Sequence, residues 1–263
     1  GSARTRVATT AGHIVSLSWS PDGRQIAFIG GTRGDYHLSV VNADGTGKRR
    51  LAAASGHIQS LAWSPDGSII AIEDFQAKER TLSAIFLIDA NGTGRLRLTE
   101  PSQRGCHQGP SWSPDGTRLA FIDTSAQGLY LIDRDGMGKR RIADADSPGM
   151  NLTAWAPDGS RIAFTSGEQV PTSYTSAPPA AAYVSTVRPD GTGGRRLNEK
   201  TYDMIMSLEW APDSERIAFT GIRDTQMDLC VAEPIHGTIE RIVSEKTSSE
   251  TASWSPDGRG IAF

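Results

Sequence analysis

The sequence contains little cysteine, no long apolar run and almost no net charge, and each absence excludes a class of protein. Two cysteines, Cys106 and Cys230, are too few for a disulfide framework in 263 residues, and we expect both to be free. No apolar stretch approaches the roughly 20 residues that cross a bilayer as a helix, so no membrane span is predicted. A net charge of −3 gives no general attraction to nucleic acid or to an anionic membrane surface.

The sequence also lacks the short motifs of several enzyme classes. Gly-x-Ser-x-Gly, a phosphate loop, a dinucleotide fingerprint and His-Glu-x-x-His are all absent. A catalytic site could still be assembled from residues far apart in the chain, but the titratable candidates are not enough to argue for one. We therefore expect no enzyme activity and no cofactor. The candidates are His13, His57, His107, Asp203 and Glu250.

What the sequence does contain is an internal repeat. The stretch SWSPDGRQIAF (18–28) returns five more times in altered form, and each copy holds one tryptophan. Successive tryptophans are 43 to 55 residues apart, close to the period of a four-stranded propeller blade. Ser-Pro-Asp-Gly suits a type I turn, and its flanks read as strands, so each copy predicts a β-hairpin. The tryptophans are Trp19, Trp63, Trp112, Trp155, Trp210 and Trp254.

A second hairpin follows in most copies, as in LSVVNADGTGKRRL (38–51), and the fifth version, LCVAEPIHGTIERI (229–242), has lost the Asp-Gly turn. Two hairpins per repeat, with no 3.6-residue pattern, predict an all-β chain with almost no helix. Residues 4–7 resemble residues 48–51, so we expect the N-terminal strand to complete the last blade and close the ring. Because that blade lacks a third strand, we expect the native chain to continue past Phe263.

The predicted architecture is therefore a six-bladed β-propeller of four-stranded antiparallel blades, closed by the N-terminal strand and forming a single domain over residues 1–263. The blades are expected at about 13–51, 57–98, 107–142, 150–197, 204–243, and 250–263 plus 4–9.

The motif WSPDG, followed by IAF, DGTG and RRL, resembles the WD-like propeller repeat of the TolB type over nearly the whole chain. Departures are few: Ser214 replaces glycine, Ala156 and Ala211 replace serine, and Ile72 replaces phenylalanine. The resemblance implies a non-catalytic platform for protein interaction or ligand sensing, outside the bacterial cytoplasm and within a larger envelope or receptor protein. Two alternatives stay open: the propeller of a prolyl-oligopeptidase-like peptidase, which would gate substrate access, and a carbohydrate-active propeller enzyme.

The recurring residues favour structural roles. A repeated tryptophan fills the space between neighbouring blades, and a repeated aspartate in a turn bonds its own backbone. The Asp-Gly pairs that precede basic residues, such as Asp44-Gly45, are typical of hairpin turns rather than calcium loops. Basic residues on each fourth strand, such as Lys48 and Arg95, are spread over several blades, which favours edge protection over nucleic-acid binding.

The candidate binding residues lie where the repeats differ. Positions four residues before each tryptophan are expected to ring the upper channel, and four of the six can form hydrogen bonds, which suits a peptide or a small glycan. A water-filled channel without a ligand is the alternative. These positions are Val15, Gln59, Gln108, Asn151, Met206 and Glu250.

Two further groups complete the prediction. His13 and His57 occupy equivalent places and His107 lies one residue out of register, but no Cys or Asp stands beside them at ligand spacing, so no metal is expected. Two variable loops, 165–181 and 73–83, could form a lip for a protein partner, with Tyr174 or Phe75 as an aromatic anchor. Solvated insertions are the alternative. We expect a monomer.

Overall fold

The computed structural model describes residues 7–32, 35–53, 57–75, 82–100, 105–145, 151–168, 181–199, 202–245 and 251–263. In these ranges the chain consists of β-strands and the turns between them, without any helix. The strands are β1 (His13–Trp19), β2 (Gln25–Thr32), β3 (Asp35–Asn42), β4 (Arg49–Ala53), β5 (His57–Trp63), β6 (Ile69–Phe75), β7 (Ser83–Asp89), β8 (Arg95–Arg97), β9 (His107–Trp112), β10 (Arg118–Asp123), β11 (Gly128–Asp133), β12 (Arg140–Asp144), β13 (Thr153–Trp155), β14 (Ile162–Glu168), β15 (Ala181–Val187), β16 (Arg195–Arg196), β17 (Met204–Trp210), β18 (Ile217–Arg223), β19 (Gln226–Glu233), β20 (Thr238–Glu245), β21 (Ser253–Trp254) and β22 (Ile261–Ala262).

The strands form five four-stranded sheets and one final hairpin. Strands that follow each other in the chain are neighbours in the sheet: β1–β4 in the first sheet, β5–β8 in the second, β9–β12 in the third, β13–β16 in the fourth and β17–β20 in the fifth. Strands β21 and β22 pair as the hairpin. Within the first, second, fourth and fifth sheets the pairing is antiparallel. The prediction of an all-β chain is confirmed over the described residues, and two hairpins per repeat are confirmed for the first five repeats.

The chain divides into two compact units. The first comprises residues 1–119 with 133–137, and the second comprises residues 120–132 with 138–263. In the first unit, aliphatic side chains of the first two sheets pack together, with Leu38 and Ile72 fully buried. In the second unit, Phe219 and Val184 belong to a similar core between the fourth and fifth sheets. The core of each unit thus lies where the face of one sheet meets the next.

Several of the repeated tryptophans form a hydrogen bond to the sheet before their own. The indole Nε1–H of Trp63 donates to the backbone oxygen of Ser18 at 3.2 Å, and that of Trp112 donates to Ala62 at 3.2 Å. In the second unit the indole of Trp210 donates to Ala154 at 3.0 Å. Each acceptor is the residue before the tryptophan of the preceding repeat. The structural role predicted for the repeated tryptophans is confirmed for these three, with a hydrogen bond that the sequence pattern did not reveal, whereas Trp19 is 52% exposed.

The Ser-Pro-Asp-Gly turns are held by their own side chains. Ser113 Oγ donates to Asp115 Oδ1 at 2.5 Å and accepts the backbone N–H of Arg118 at 3.0 Å. Asp115 Oδ1 also accepts the N–H of Thr117, and Gly116 has a positive φ of 68°, the conformation that glycine adopts without strain. The hydrogen bonds to Asp115 lower the pKa of its carboxyl. The assignment of the repeated aspartates to turns is confirmed.

Two basic side chains of the outer strands point back onto their own sheet. Arg95 forms an ion pair with the buried carboxylate of Asp74 at 2.5 Å and lies 4.3 Å from the Phe86 ring centre. Lys139 pairs with Asp123 at 3.2 Å and lies 4.7 Å from the ring centre of Tyr130. These cations therefore neutralise buried carboxylates, a role beyond the edge protection predicted from the sequence.

The indole hydrogen bond gives a direct prediction. Changing Trp112, 7% exposed, to phenylalanine removes the donor to the Ala62 carbonyl. Because a buried acceptor without a donor is unfavourable, we expect the free energy of unfolding to fall by about 1–3 kcal/mol in guanidinium denaturation. The matched control is Trp19→Phe in the same motif, where the side chain is 52% exposed, so a change within about 0.5 kcal/mol is expected. Equal losses in the two variants would contradict this role.

Candidate functional site

In three sheets, the position four residues before the tryptophan lies at an irregularity of the first strand. In β1, β5 and β17 the register shifts on either side of this position, so Val15, Gln59 and Met206 are the extra residues of β-bulges. A bulge re-aims the side chain of its extra residue and often lies beside a functional site. Gln59, Gln108 and Asn151 are all half-buried, whereas Val15 is exposed. Glu250 lies outside the described residues.

Gln108 contacts a buried acid that sequence reasoning missed. Glu73 of β6 is 1% exposed, and its carboxyl accepts hydrogen bonds from Ser60 Oγ at 3.1 Å and Ser83 Oγ at 3.4 Å. The Gln108 side chain and the backbone N–H of Gly109 bond to the same carboxyl. The Glu73 carboxyl therefore joins β5, β6, β7 and β9, and it fixes the amide of Gln108.

A comparison of the repeats could have revealed Glu73. At the equivalent place on the second strand, the other repeats have Ile29, Ile122, Thr165 and Thr220. An acid on a strand that is otherwise apolar needs a set of hydrogen-bond donors, and the structure supplies them from two neighbouring strands and from β9. Burial raises the pKa of the Glu73 carboxyl to about 7. Because the carboxyl is 1% exposed, its role is to position Gln108 rather than to meet a substrate.

The predicted histidine and aromatic sites require correction. Phe75 is only 8% exposed and lies against the ring of His57, so it is not available as an exposed anchor for a partner. His57 also meets Tyr36 edge-on at 4.7 Å between ring centres, which places it in an aromatic cluster. His107 is fully buried and its backbone oxygen accepts a hydrogen bond from Ser83 Oγ at 3.2 Å, so it is not available to a ligand.

The remaining candidates are His13, Tyr174 and the two cysteines. His13 is exposed at the start of β1, and Tyr174 lies outside the described residues. Cys106 and Cys230 are not joined in a disulfide, and burial raises the pKa of each thiol. Over the described ranges, no group of three or more His, Cys, Asp or Glu side chains could hold a metal ion. No helix in those ranges is long and apolar enough to cross a membrane.

The buried acid makes stability depend on pH. Because the pKa of Glu73 is raised from 4.5 to about 7 in the folded chain, folding favours the protonated form. Between these two values the unfolded chain has released a proton that the folded chain keeps. The contribution of this group to stability is therefore fully present below about pH 4.5 and is lost as the pH rises through about 7, by on the order of 3 kcal/mol.

The test compares Glu73→Gln with the parent chain in denaturant titrations from pH 5 to pH 8. We expect the free energy of unfolding of the parent chain to fall as the pH rises above 5 because of this group, and Glu73→Gln to lack that fall. The stability of Glu73→Gln relative to the parent should therefore increase with pH. The control is Glu240→Gln on the exposed outer strand β20, whose curve should run parallel to that of the parent. Parallel curves for Glu73→Gln as well would show that the carboxyl does not titrate in this range.

Comparisons with known proteins agree with this architecture. The family model for the TolB beta propeller domain matches residues 33–172, which is just over half of the 263-residue chain, and a WD domain, G-beta repeat model matches residues 4–40. A protein TolB homolog from Chlorobium luteolum is 32% identical over 116 residues, which cover 43% of this chain and 23% of that protein. This chain therefore spans about a quarter of the length of that curated relative.

Solved structures show the same fold at lower identity. A TolB-like protein from Agrobacterium tumefaciens superposes with a TM-score of 0.64 at 23% identity, over 96% of this chain and 89% of that one. An oligogalacturonate lyase from Vibrio parahaemolyticus also gives a TM-score of 0.64, at 15% identity, over 95% of this chain and 70% of the lyase. At these identities the likeness concerns the fold alone. The family model decides the relationship: the chain belongs to the TolB β-propeller domain family.

Proposed function

We propose that this chain is a non-catalytic domain for protein interaction or ligand sensing, and that its binding surface includes the positions four residues before the repeated tryptophans. The observation that carries the proposal is that the same bulge recurs in β1, β5 and β17 with three different side chains. The repeated frame positions the backbone, while Val15, Gln59 and Met206 vary the chemistry. Rigid scaffolds with variable side chains at one position are typical of binding sites.

The polar members of this set suit a peptide or a small glycan. The amide side chains of Gln59, Gln108 and Asn151 each offer both donors and acceptors, which match peptide backbone groups and sugar hydroxyls. Gln108 is fixed by its hydrogen bond to Glu73, so less side-chain freedom is lost when a ligand binds. Half-burial of the three amides leaves part of each side chain open to a partner.

The larger assembly is part of the same proposal. We propose a six-bladed ring closed by the N-terminal strand, in which these positions face the upper channel. Family membership supports a location outside the bacterial cytoplasm within a longer envelope or receptor protein, and a monomeric domain with a protein or peptide partner. Enzymes occur among the structural relatives, including the lyase and a puromycin hydrolase. The described residues favour binding, since His107 and Glu73 are too buried to meet a substrate.

The proposal is tested by binding the chain to a library of envelope peptides and small glycans. The test variants are Gln59→Ala and the triple change that adds Gln108→Ala and Asn151→Ala. Because each amide lost removes hydrogen bonds to the ligand, we expect the triple variant to bind a hit at least about tenfold more weakly.

The matched control is Gln25→Ala, a half-buried glutamine at the turn end of the first sheet, which should keep the affinity of the parent. Because Gln108 forms a hydrogen bond with Glu73, its replacement can lower stability, so unfolding curves are recorded for every variant. The single variant Gln59→Ala leaves that hydrogen bond intact. Equal binding by the parent and both test variants would contradict a site at the bulge positions.

A further inference from the structure

A cleft of about 600 Å³ lies at the outer edge of the fourth and fifth sheets, in the second unit. One wall comes from β16 and the residues that follow it, and the other comes from the ends of β18, β19 and β20. In the fifth sheet, β20 is at the opposite edge from β17, which carries the Met206 bulge. The cleft is therefore separate from the position that the proposed function uses in that sheet. Its volume falls in the range of small-molecule sites.

The charges of the described residues that line the cleft are mostly positive. Among the described residues, four arginines line the cleft together with two acids, Asp228 and Glu199. Arginine presents a planar fork of N–H donors that matches a carboxylate with two parallel hydrogen bonds, whereas lysine presents a single point charge. The four described arginines therefore favour a ligand that carries a carboxylate.

A buried carboxylate orients two of these arginines. Asp228 is 1% exposed, and its Oδ2 accepts a hydrogen bond from Arg223 at 3.0 Å. Its Oδ1 has no hydrogen-bond donor among the described residues, and the nearest guanidinium nitrogen of Arg241 is 3.8 Å away. A separation of 3.8 Å is an ion pair but not a hydrogen bond. Asp228 therefore holds Arg241 electrostatically while the N–H groups of Arg241 remain uncommitted to it.

The side chains near Asp228 and Arg241 suit a ligand with more than one polar group. The Arg241 side chain is 55% exposed, so its outward N–H groups are accessible. Arg196 stacks on Tyr183 at 3.6 Å from the ring centre, which holds its guanidinium in the wall. Glu199 offers acceptor oxygens in the same lining. The lining of this one cavity therefore contains both hydrogen-bond donors and acceptors.

We propose that this cleft binds a small organic acid that carries a hydrogen-bond donor near its carboxylate. The carboxylate binds Arg241, with Arg196 beside it, and the donor binds an acid of the lining. Two classes of molecule carry a carboxylate beside a hydrogen-bond donor. The donor is a hydroxyl in a sugar acid and an ammonium group in an amino acid. The inference goes beyond the proposed function and does not depend on it.

The test is calorimetric titration of the 263-residue chain with three probes: D-glucuronate, L-glutamate and D-glucose. We expect binding of glucuronate or glutamate, or both, and the stronger of the two identifies the donor type. Glucose has hydroxyls but no carboxylate, so it should not bind. No binding of either acid at tens of millimolar, or equal binding of glucose, would overturn the proposal.

Variants locate the binding. Arg241→Ala should weaken the acid at least about tenfold, and Arg241→Lys should weaken it less, because the charge is kept and the fork is lost. The control is Arg141→Ala, another outer-strand arginine of the second unit, which pairs with Asp144 outside the cleft and should leave affinity unchanged. Circular dichroism checks the fold of each variant, and the lysine variant keeps the test valid if the alanine variant unfolds. Equal affinity in the parent and Arg241→Lys and Arg241→Ala would place any binding elsewhere.

Discussion

The fold depends on one interaction, the hydrogen bond from a tryptophan indole to the backbone of the preceding sheet. A buried indole N–H needs a hydrogen-bond acceptor. Here the acceptor is the backbone oxygen one residue before the tryptophan of the preceding repeat. Because this position is the same each time, two successive sheets can pack in only one register. Trp63, Trp112 and Trp210 all satisfy this condition. The apolar ring fills the space between two sheets, while the N–H sets how far one sheet slides along the other. Packing and register are thus determined by the same side chain.

This constraint leaves other positions free to vary. On the first strands β1, β5 and β17, a bulge four residues before the tryptophan presents Val15, Gln59 or Met206 on the same backbone frame. Positions that depart from the repeat supply charged side chains with specific contacts. Glu73 replaces an apolar or hydroxyl residue and fixes Gln108. The fifth repeat, which lacks the Asp-Gly turn, has an eight-residue outer strand where the second and fourth sheets have three and two residues, and it contributes Arg241 to the cleft.

The local and periodic features could be predicted from the sequence. The turn at Ser113–Gly116 follows from residue preferences that operate over four positions, and the strands around it follow from alternation. Features that depend on contacts between sheets could not be predicted in this way. Nothing in the spacing of His57 and Phe75 indicates that they pack together with Tyr36, and nothing near His107 indicates complete burial. The arginine cleft combines β16 with strands about 30 to 45 residues further along the chain, so no single stretch of sequence contains it.

The most direct test of the account is hydrogen exchange, resolved by peptide, in Trp63→Phe and the parent chain. The substitution removes the donor to the Ser18 oxygen, which belongs to the first sheet. If the indole couples the sheets, amides of both β1–β4 and β5–β8 will exchange faster in the variant, since opening one sheet then releases the other. Faster exchange confined to β5–β8 would show that the tryptophan stabilises only its own sheet, and would contradict the central claim.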